Sequence, residues 1–307
     1  MSIYVVGHQN PDTDSICAAI TLANLRKELG EDVEAIRCGK INAETEFVLD
    51  KFGVKAPKLV EKVSAGDQIF LVDHNELSQA IPGIKEAEIV GVVDHHRIGG
   101  IYTGNPIYFR NEPVGCTSTI VTKLYKENNV EISDSMAGLL LSAILSDTVI
   151  FKSPTCTKED KVIVKELAKQ LGVDIEEYGK ELFQAGSVVN TLSAKELVQN
   201  DYKEYEFAGD KIAVGQIEIM GLDEVDTAKK EEIITAIKEL VEAEGYKSLL
   251  LMITDIMAEG TLLTYNAEAK EIVAGAFDVD AGENEVYLDG VLSRKKQIIP
   301  VLSDYFA

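Results

Sequence analysis

Short, almost unbroken runs of aliphatic and β-branched residues alternate with stretches of helical periodicity through the first half of the chain. Ile3 to Val6, Val33 to Arg37, Gln68 to Val72 and Ile89 to Val93 read as strands, with helices over Ile16 to Leu29 and Ala43 to Phe52. Strands that are apolar throughout and alternate with helices predict an α/β domain with a mainly parallel sheet covered by helices on both faces. In such sheets the chemistry gathers at the C-terminal ends of the strands. From Thr117 to about Glu181 the pattern turns helical, through Ile120 to Lys126, Met136 to Leu145 and Lys158 to Leu171.

The periodicity fades near Ser187-Val188-Val189-Asn190-Thr191-Leu192-Ser193, a stretch of small and polar residues. The expected organisation is therefore a first domain over 1–187, a linker over 188–194 and a second domain over 195–307. In the second, Lys211 to Ile219, Ser248 to Thr254, Gly260 to Tyr265 and Ile272 to Ala276 read as strands. Thr227 to Glu244 reads as a long helix with Ile233, Ile234, Ile237, Leu240 and Val241 on its buried face. This predicts a smaller, mixed α/β unit.

Composition agrees with two ordinary globular domains: 307 residues, 46% of them apolar, exceed what a single core usually organises. Acidic residues outnumber basic ones 52 to 30, for a formal net charge of −22. That field disfavours nucleic acid and anionic membranes as partners. If the substrate is itself an anion, bound metal ions and a local cluster of Lys and Arg must overcome it. The start of the chain has no basic segment of a leader, and no run of about 18 apolar residues occurs, so a cytoplasmic location is expected. Cys17, Cys38, Cys116 and Cys156 show no zinc-type spacing and read as reduced, small core residues.

The candidate chemistry lies where apolar runs end. After the first strand comes Gly7-His8-Gln9-Asn10-Pro11-Asp12-Thr13-Asp14-Ser15, with one imidazole and two carboxylates on a strand-to-helix turn. A helix cap accounts for one of those acids and leaves the other acid and His8 unexplained. Later strands end in Asp73-His74 and Asp94-His95-His96, and a further apolar stretch ends in Ser146-Asp147. All four histidines of the chain lie in or beside these motifs. Histidine with aspartate and no cysteine suits Mn²⁺, Co²⁺ or Mg²⁺. Two such ions sharing a carboxylate, for which Asp73 is the natural candidate, would activate water for attack on phosphorus. In the second domain Ser293-Arg294-Lys295-Lys296-Gln297 and Lys203 bring cations into an acidic protein. A solvated helix start and an anion pocket both fit that cluster.

Taken together, residues 7–15, Val-Asp-His-Asn-Glu at 72–76, Asp-His-His-Arg-Ile at 94–98, Ser-Asp-Thr at 146–148 and Ser-Arg-Lys-Lys-Gln at 293–297 resemble the manganese-dependent (family II) inorganic pyrophosphatases of the Asp-His-His phosphoesterase superfamily. The resemblance spans essentially the whole chain, and its C-terminal motif points to the pyrophosphatase branch. It implies a metal-binding catalytic domain followed by a DHHA2-like substrate domain, with the active site in the interdomain cleft. His8, Asp12 and Asp73 would hold one Mn²⁺ or Co²⁺, and Asp14, Asp73, His95 and Asp147 the other, while Mg²⁺ would arrive with the diphosphate. Asp73, Asp14 and His96 would be catalytic. His96, Lys203, Arg294 and Lys295 would bind substrate, and the family's homodimer would form through the first domain. An exopolyphosphatase or an oligonucleotide phosphodiesterase of the same superfamily is the alternative. The diesterase is disfavoured because no histidine follows His96, and a non-catalytic module because every expected position is filled.

Overall fold

The computed structural model describes residues 2–307, which divide into two compact units, the first ending at residue 186 and the second spanning 187–307. The first unit holds six strands, β1 (Ile3–Val6), β2 (Val33–Arg37), β3 (Lys58–Leu59), β4 (Gln68–Val72), β5 (Glu88–Asp94) and β6 (Tyr108–Asn111). They form one parallel sheet in the order β3-β2-β1-β4-β5-β6. The chain starts in the middle of the sheet, builds outward to β3 and then returns across β1 to β4. The β1/β4 boundary is therefore the point where the direction of winding reverses, the place where open α/β sheets bind their ligands.

Six helices belong to this unit: α1 (Thr13–Glu28), α2 (Ala43–Lys51), α3 (Thr117–Glu127), α4 (Asp134–Asp147), α5 (Lys158–Leu171) and α6 (Ile175–Gly186). α1 is central, burying Ile16, Cys17, Ala18, Ala19, Leu22 and Leu25 against α3, α4 and the sheet. α5 begins with a reciprocal cap in which Thr157 and Asp160 satisfy each other's backbone amides, and ends at Gly172 in the left-handed conformation.

Helices flank the sheet as expected, and pack most densely on the face that carries Val5, Phe70, Val72 and Val93. On the other, Val6, Ile36, Ile69, Leu71 and Val92 are covered by turns carrying Val63, Ala80, Ile81 and Ile84. The reason is local: Pro82-Gly83 interrupts the crossover between β4 and β5, and Gly83 adopts φ 87 against the Val63 carbonyl, where no side chain fits.

Residues 188–194, expected to be a linker, contain the one-turn helix α7 (Val188–Thr191) and the start of α8 (Ala194–Gln199). Ser187 and Ser193 cap them with their hydroxyls. The second unit then forms β7 (Lys203–Phe207), β8 (Asp210–Ile219), α9 (Thr227–Glu244), β9 (Ser248–Asp255), β10 (Gly260–Tyr265), α10 (Lys270–Phe277), β11 (Glu285–Asp289) and α11 (Ile299–Phe306). Its sheet runs β11-β10-β9-β8-β7, with only β8 and β9 parallel. α9 buries Ile233, Ala236, Ile237 and Leu240 on one face. Each large aliphatic side chain so buried contributes about 1.5 to 3 kcal/mol.

The strand expected over Ile272 to Ala276 is instead the body of α10. Ile272 and Val273 favour strands by propensity, yet here they form the buried edge of a helix that ends at Asp278 in the left-handed conformation. Among the described residues no helix is long and apolar enough to cross a membrane.

Candidate metal centre

The turn after β1 is shaped by what Gly7 lacks: a Cβ there would lie 1.9 Å from the Ser15 hydroxyl. The strand end can thus lie against the start of α1, and the His8 amide donates to Ser15 Oγ at 3.1 Å. Asp12 does cap α1, accepting from the Ser15 amide at 2.9 Å through Oδ1. Its Oδ2 faces His8 Nε2 at 3.5 Å, so one carboxylate serves as both cap and donor.

Asp14, one position into the first turn, is fully buried and meets the start of a second helix. It accepts from the Thr117 amide at 2.7 Å, the Ser118 amide at 3.0 Å and the Ser118 hydroxyl at 2.5 Å. The exposed amides of the α3 N-terminus are thereby satisfied by an anion, a favourable match to the helix dipole.

Asp73 follows β4 with φ 60, a left-handed conformation that aspartate tolerates better than most side chains. This turn brings its carboxylate toward His8 and His95. Oδ2 lies 3.4 Å from His8 Nε2, and Oδ1 lies 3.5 Å from His95 Nε2 and accepts from Thr117 Oγ1 at 3.1 Å. His95 donates through Nδ1 to the Val114 carbonyl at 3.0 Å, which fixes the tautomer and aims Nε2 inward. Asp147, the last residue of α4, completes this side with Oδ2 at 3.8 Å from His95 Nε2.

Three donor groups result, each with its ligand atoms within 4.8 Å of one another: His8, Asp12 and Asp73; Asp14, Asp73, His95 and Asp147; and Asp73, His95 and His96. Asp73 belongs to all three. Every residue expected to be a ligand thus lies in the assembly. His96 differs from the others. Its Nδ1 donates to Asp94 Oδ1 at 2.9 Å and the ring is half exposed, so Nε2 is its remaining polar atom.

The electrostatics are those of an assembly that calls for cations. Burial, with Asp73 nearby, pushes Asp14 up to about 7. Asp147 is raised well above the carboxylate range by burial and by Asp14 and Asp73. Burial works against protonation of His8 and His95 but is outweighed by their aspartate partners, which raise them to about 10 and about 9. Burial likewise opposes the charge on Asp73, yet hydrogen bonds from His8 and His95 hold it ionised well below the usual range. The crowded carboxylates are thus tolerated only with protons or other cations among them. Oxygen and imidazole donors without thiolate suit manganese.

His74, the fourth histidine, belongs to none of the three groups. It is buried with Nδ1 bonded to the Val72 carbonyl at 2.8 Å, and burial lowers its pKa. Sequence reasoning also missed Glu44. Its Oε1 accepts from Thr13 Oγ1 at 2.5 Å and Ser146 Oγ at 2.6 Å, tying the turn that carries Asp12 and Asp14 to the segment that carries Asp147.

In the second unit Lys203, Arg294 and Lys295 line one pocket of about 500 Å³, together with Gln216 and Ser293. The basic motif forms a single wide turn over Arg294–Ile298, capped by Ser293. Gln297 folds the approach to it, accepting from the Leu292 and Ser293 amides at 3.0 and 2.9 Å and donating to the Gly290 carbonyl at 2.7 Å. Arg294 is only 7% exposed. Its guanidinium contacts both carboxylate oxygens of Asp201 at 3.1 Å and the Val214 carbonyl at 3.2 Å, whereas Lys203 and Lys295 are exposed.

Two family models match this chain: the DHH family N-terminal domain over residues 2–144 and the DHHA2 domain over residues 180–305. The manganese-dependent inorganic pyrophosphatase of Methanothrix thermoacetophila is 46% identical across 99% of this chain and 98% of its own length. That of Bacillus subtilis is 43% identical across 99% of both. Among solved structures, a Methanococcus jannaschii protein proposed to be a family II inorganic pyrophosphatase covers 99% of both chains at 43% identity, with a TM-score of 0.62. An exopolyphosphatase-related protein from Bacteroides fragilis, 16% identical with a TM-score of 0.50, shares the fold.

Proposed function

The chain belongs to the manganese-dependent inorganic pyrophosphatases, and on that premise we propose that it hydrolyses inorganic diphosphate to two orthophosphates. The observation that carries this reading is the sharing of Asp73 by donor groups that include every expected ligand. His8, Asp12 and Asp73 would hold one Mn²⁺ or Co²⁺, and Asp14, Asp73, His95 and Asp147 a second, with Mg²⁺ entering on the substrate. When bound, the ions lower the pKa of the attacking water and draw charge from the phosphoryl group.

The remaining roles belong to the chain itself. Residues 1–187 act as the metal-binding catalytic domain and residues 195–307 as the substrate-binding domain. Asp73 and Asp14 are catalytic through the ions they hold. Thr117 Oγ1 and the amides at the start of α3 keep those carboxylates in place. His96 has Nδ1 occupied by Asp94 and offers Nε2 to the substrate or to the departing phosphate. Lys203 and Lys295 bind the phosphates of the same substrate as free cations. Arg294 contributes positive charge and, through Asp201, the shape of the pocket. Such cations concentrate an anionic substrate against a net charge of −22, and that charge argues against nucleic acid and anionic membranes as partners. A cytoplasmic homodimer is the form in which we expect the enzyme to work.

The test is phosphate release after chelation and reconstitution with Mn²⁺ in Mg²⁺ buffer, from diphosphate, long-chain polyphosphate and a dinucleotide diester in parallel. Manganese-dependent release from diphosphate alone is the expected result. Activity confined to either other substrate would overturn the assignment.

A further inference from the structure

The loop after β5 carries His95 and His96, and asparagine side chains fasten it from two sides. Asn75, 1% exposed, donates through Nδ2 to Asp94 Oδ2 and to the Arg97 carbonyl at 2.9 Å, and accepts at Oδ1 from the Gly99 amide at 2.5 Å. Asn111, the last residue of β6, donates to the backbone carbonyls of Asp94 at 3.1 Å and His96 at 2.7 Å. Between them lies Asp94, fully buried. Its other oxygen, Oδ1, accepts from the His96 amide at 3.1 Å and from His96 Nδ1 at 2.9 Å.

Asp94 belongs to none of the donor groups, and the polar atoms of Asp94 and Asn75 are all engaged in hydrogen bonds within this loop. Both amide hydrogens of Asn75 and its oxygen are used, and each bond ends on Asp94 or on the backbone just beyond His96. The Asp94 carboxylate is thus gripped on one oxygen by Asn75 and grips the imidazole with the other. A ring with a single hydrogen bond on a half-exposed side chain would otherwise sample several orientations. Here the acceptor itself is immobilised, and the loop backbone on both sides of the ring is pinned.

We propose that Asn75 is a positioning residue for the reaction: through the Asp94 carboxylate it holds the His96 ring in the one orientation that presents Nε2 to the substrate. This rests on the assignment of His96 to the substrate made above. The chemistry at position 75 must be an amide. Aspartate there would have the same shape but could not donate, and would set a second carboxylate against Asp94.

The experiment compares the Mn²⁺-loaded full-length wild type with Asn75→Ala, Asn75→Asp, His96→Ala and the double variant Asn75→Ala/His96→Ala. It reads kcat and KM for diphosphate, Mn²⁺ binding, and, in the metal-free protein, the imidazole nitrogen signals of His96 by NMR. Loss of an outer partner of a working side chain costs about 10- to 100-fold. Asn75→Ala should lower kcat by that factor, with KM and Mn²⁺ affinity within about threefold of wild type, and Asn75→Asp should be no better. The double variant should be no slower than His96→Ala alone, and the hydrogen-bonded Nδ1 signal of His96 should be lost in Asn75→Ala. If His96→Ala leaves kcat unchanged, the assignment of His96 fails and the inference falls with it. If His96→Ala is slow but Asn75→Ala is not, or if the two losses multiply in the double variant, the inference is overturned while the assignment stands. Should the Asn75 variants not fold, Asp94→Asn replaces them in the same cycle. A loss that does not add to that of His96→Ala supports the inference, and one that multiplies overturns it.

Discussion

Asp73→Asn separates the charge of the metal centre from its scaffolding. The substitution keeps the side chain's shape, and asparagine adopts φ 60 as readily as aspartate, so the turn after β4 meets no new strain. In the metal-free protein the lost charge has effects of both signs. It attracts His8 and His95, whose nitrogens lie 3.4 and 3.5 Å away, and it repels Asp14 and Asp147, whose pKa values it raises. Two attractions and two repulsions largely offset, so metal-free stability should change by no more than about 2 kcal/mol in either direction. Metal binding has no such offset. Unit charges about 4 Å apart at an effective dielectric near 20 interact by about 4 kcal/mol, equivalent to about three decades in affinity. Titration with Mn²⁺ in Mg²⁺-free buffer, followed calorimetrically, should therefore show binding weakened about a thousandfold. Thermal unfolding in chelator should remain cooperative and close to that of wild type. A dissociation constant within about tenfold of wild type would refute the role of Asp73 as the shared ligand. Loss of cooperative unfolding in chelator, where the wild type keeps it, would refute the separation of charge from scaffold.

Three further outcomes are expected. The folded, metal-free first unit keeps protons that its unfolded chain has released, on Asp14 up to about 7, His95 up to about 9 and His8 up to about 10. The folded state then binds the more protons between about pH 4 and about pH 10, so its stability must fall as pH rises through that window. In chelator Tm should decline from about pH 5 to about pH 9, whereas in Mn²⁺ it should rise over the lower part of that range as ions displace protons; parallel slopes would refute this. In the second unit Arg294→Ala breaks the contact with Asp201, whose side chain is 60% exposed, and should destabilise the unit by about 1 to 3 kcal/mol. Lys295→Ala should stay within about 0.5 kcal/mol of wild type and raise KM. Equal stability losses in denaturant melts would show that the two cations are not used differently.

The strand ends that carry the candidate ligands were legible because each is announced locally, by an apolar run that stops at Asp73 or Asp94 or at Gly7-His8. The edge strands were not. Tyr108-Phe109-Arg110-Asn111 and Glu285-Val286-Tyr287-Leu288-Asp289 mix aromatic with charged residues because they are partly exposed, so no continuous apolar signal marks them. α10 was misread as a strand because Ile272 and Val273 carry β-propensity that packing overrides. What surrounds the donors was hidden for a different reason. The amides that hold Asp14 come from residues 117 and 118, and Glu44 joins Thr13 to Ser146. Such pairings exist only after the sheet has closed, and no spacing along the chain encodes them. The same holds for Arg294, whose burial against Asp201 distinguishes it from the lysines beside it.

The reversal of winding at β1 and β4 has a consequence for the life of the chain in the cell. His8 and Asp147 are separated by nearly half the sequence, with Asp73 and His95 between them, and they meet only once the strands on both sides of β1 and the helix α4 have docked. A chain that has not folded therefore offers only partial donor sets, such as His8 with Asp12 and Asp14, of weaker affinity. On the proposed ligand set, only a completed first unit would load metal tightly. Metal that prefers that finished state would stabilise it by mass action. Manganese supply should accordingly govern how long the protein persists as well as how fast it turns over.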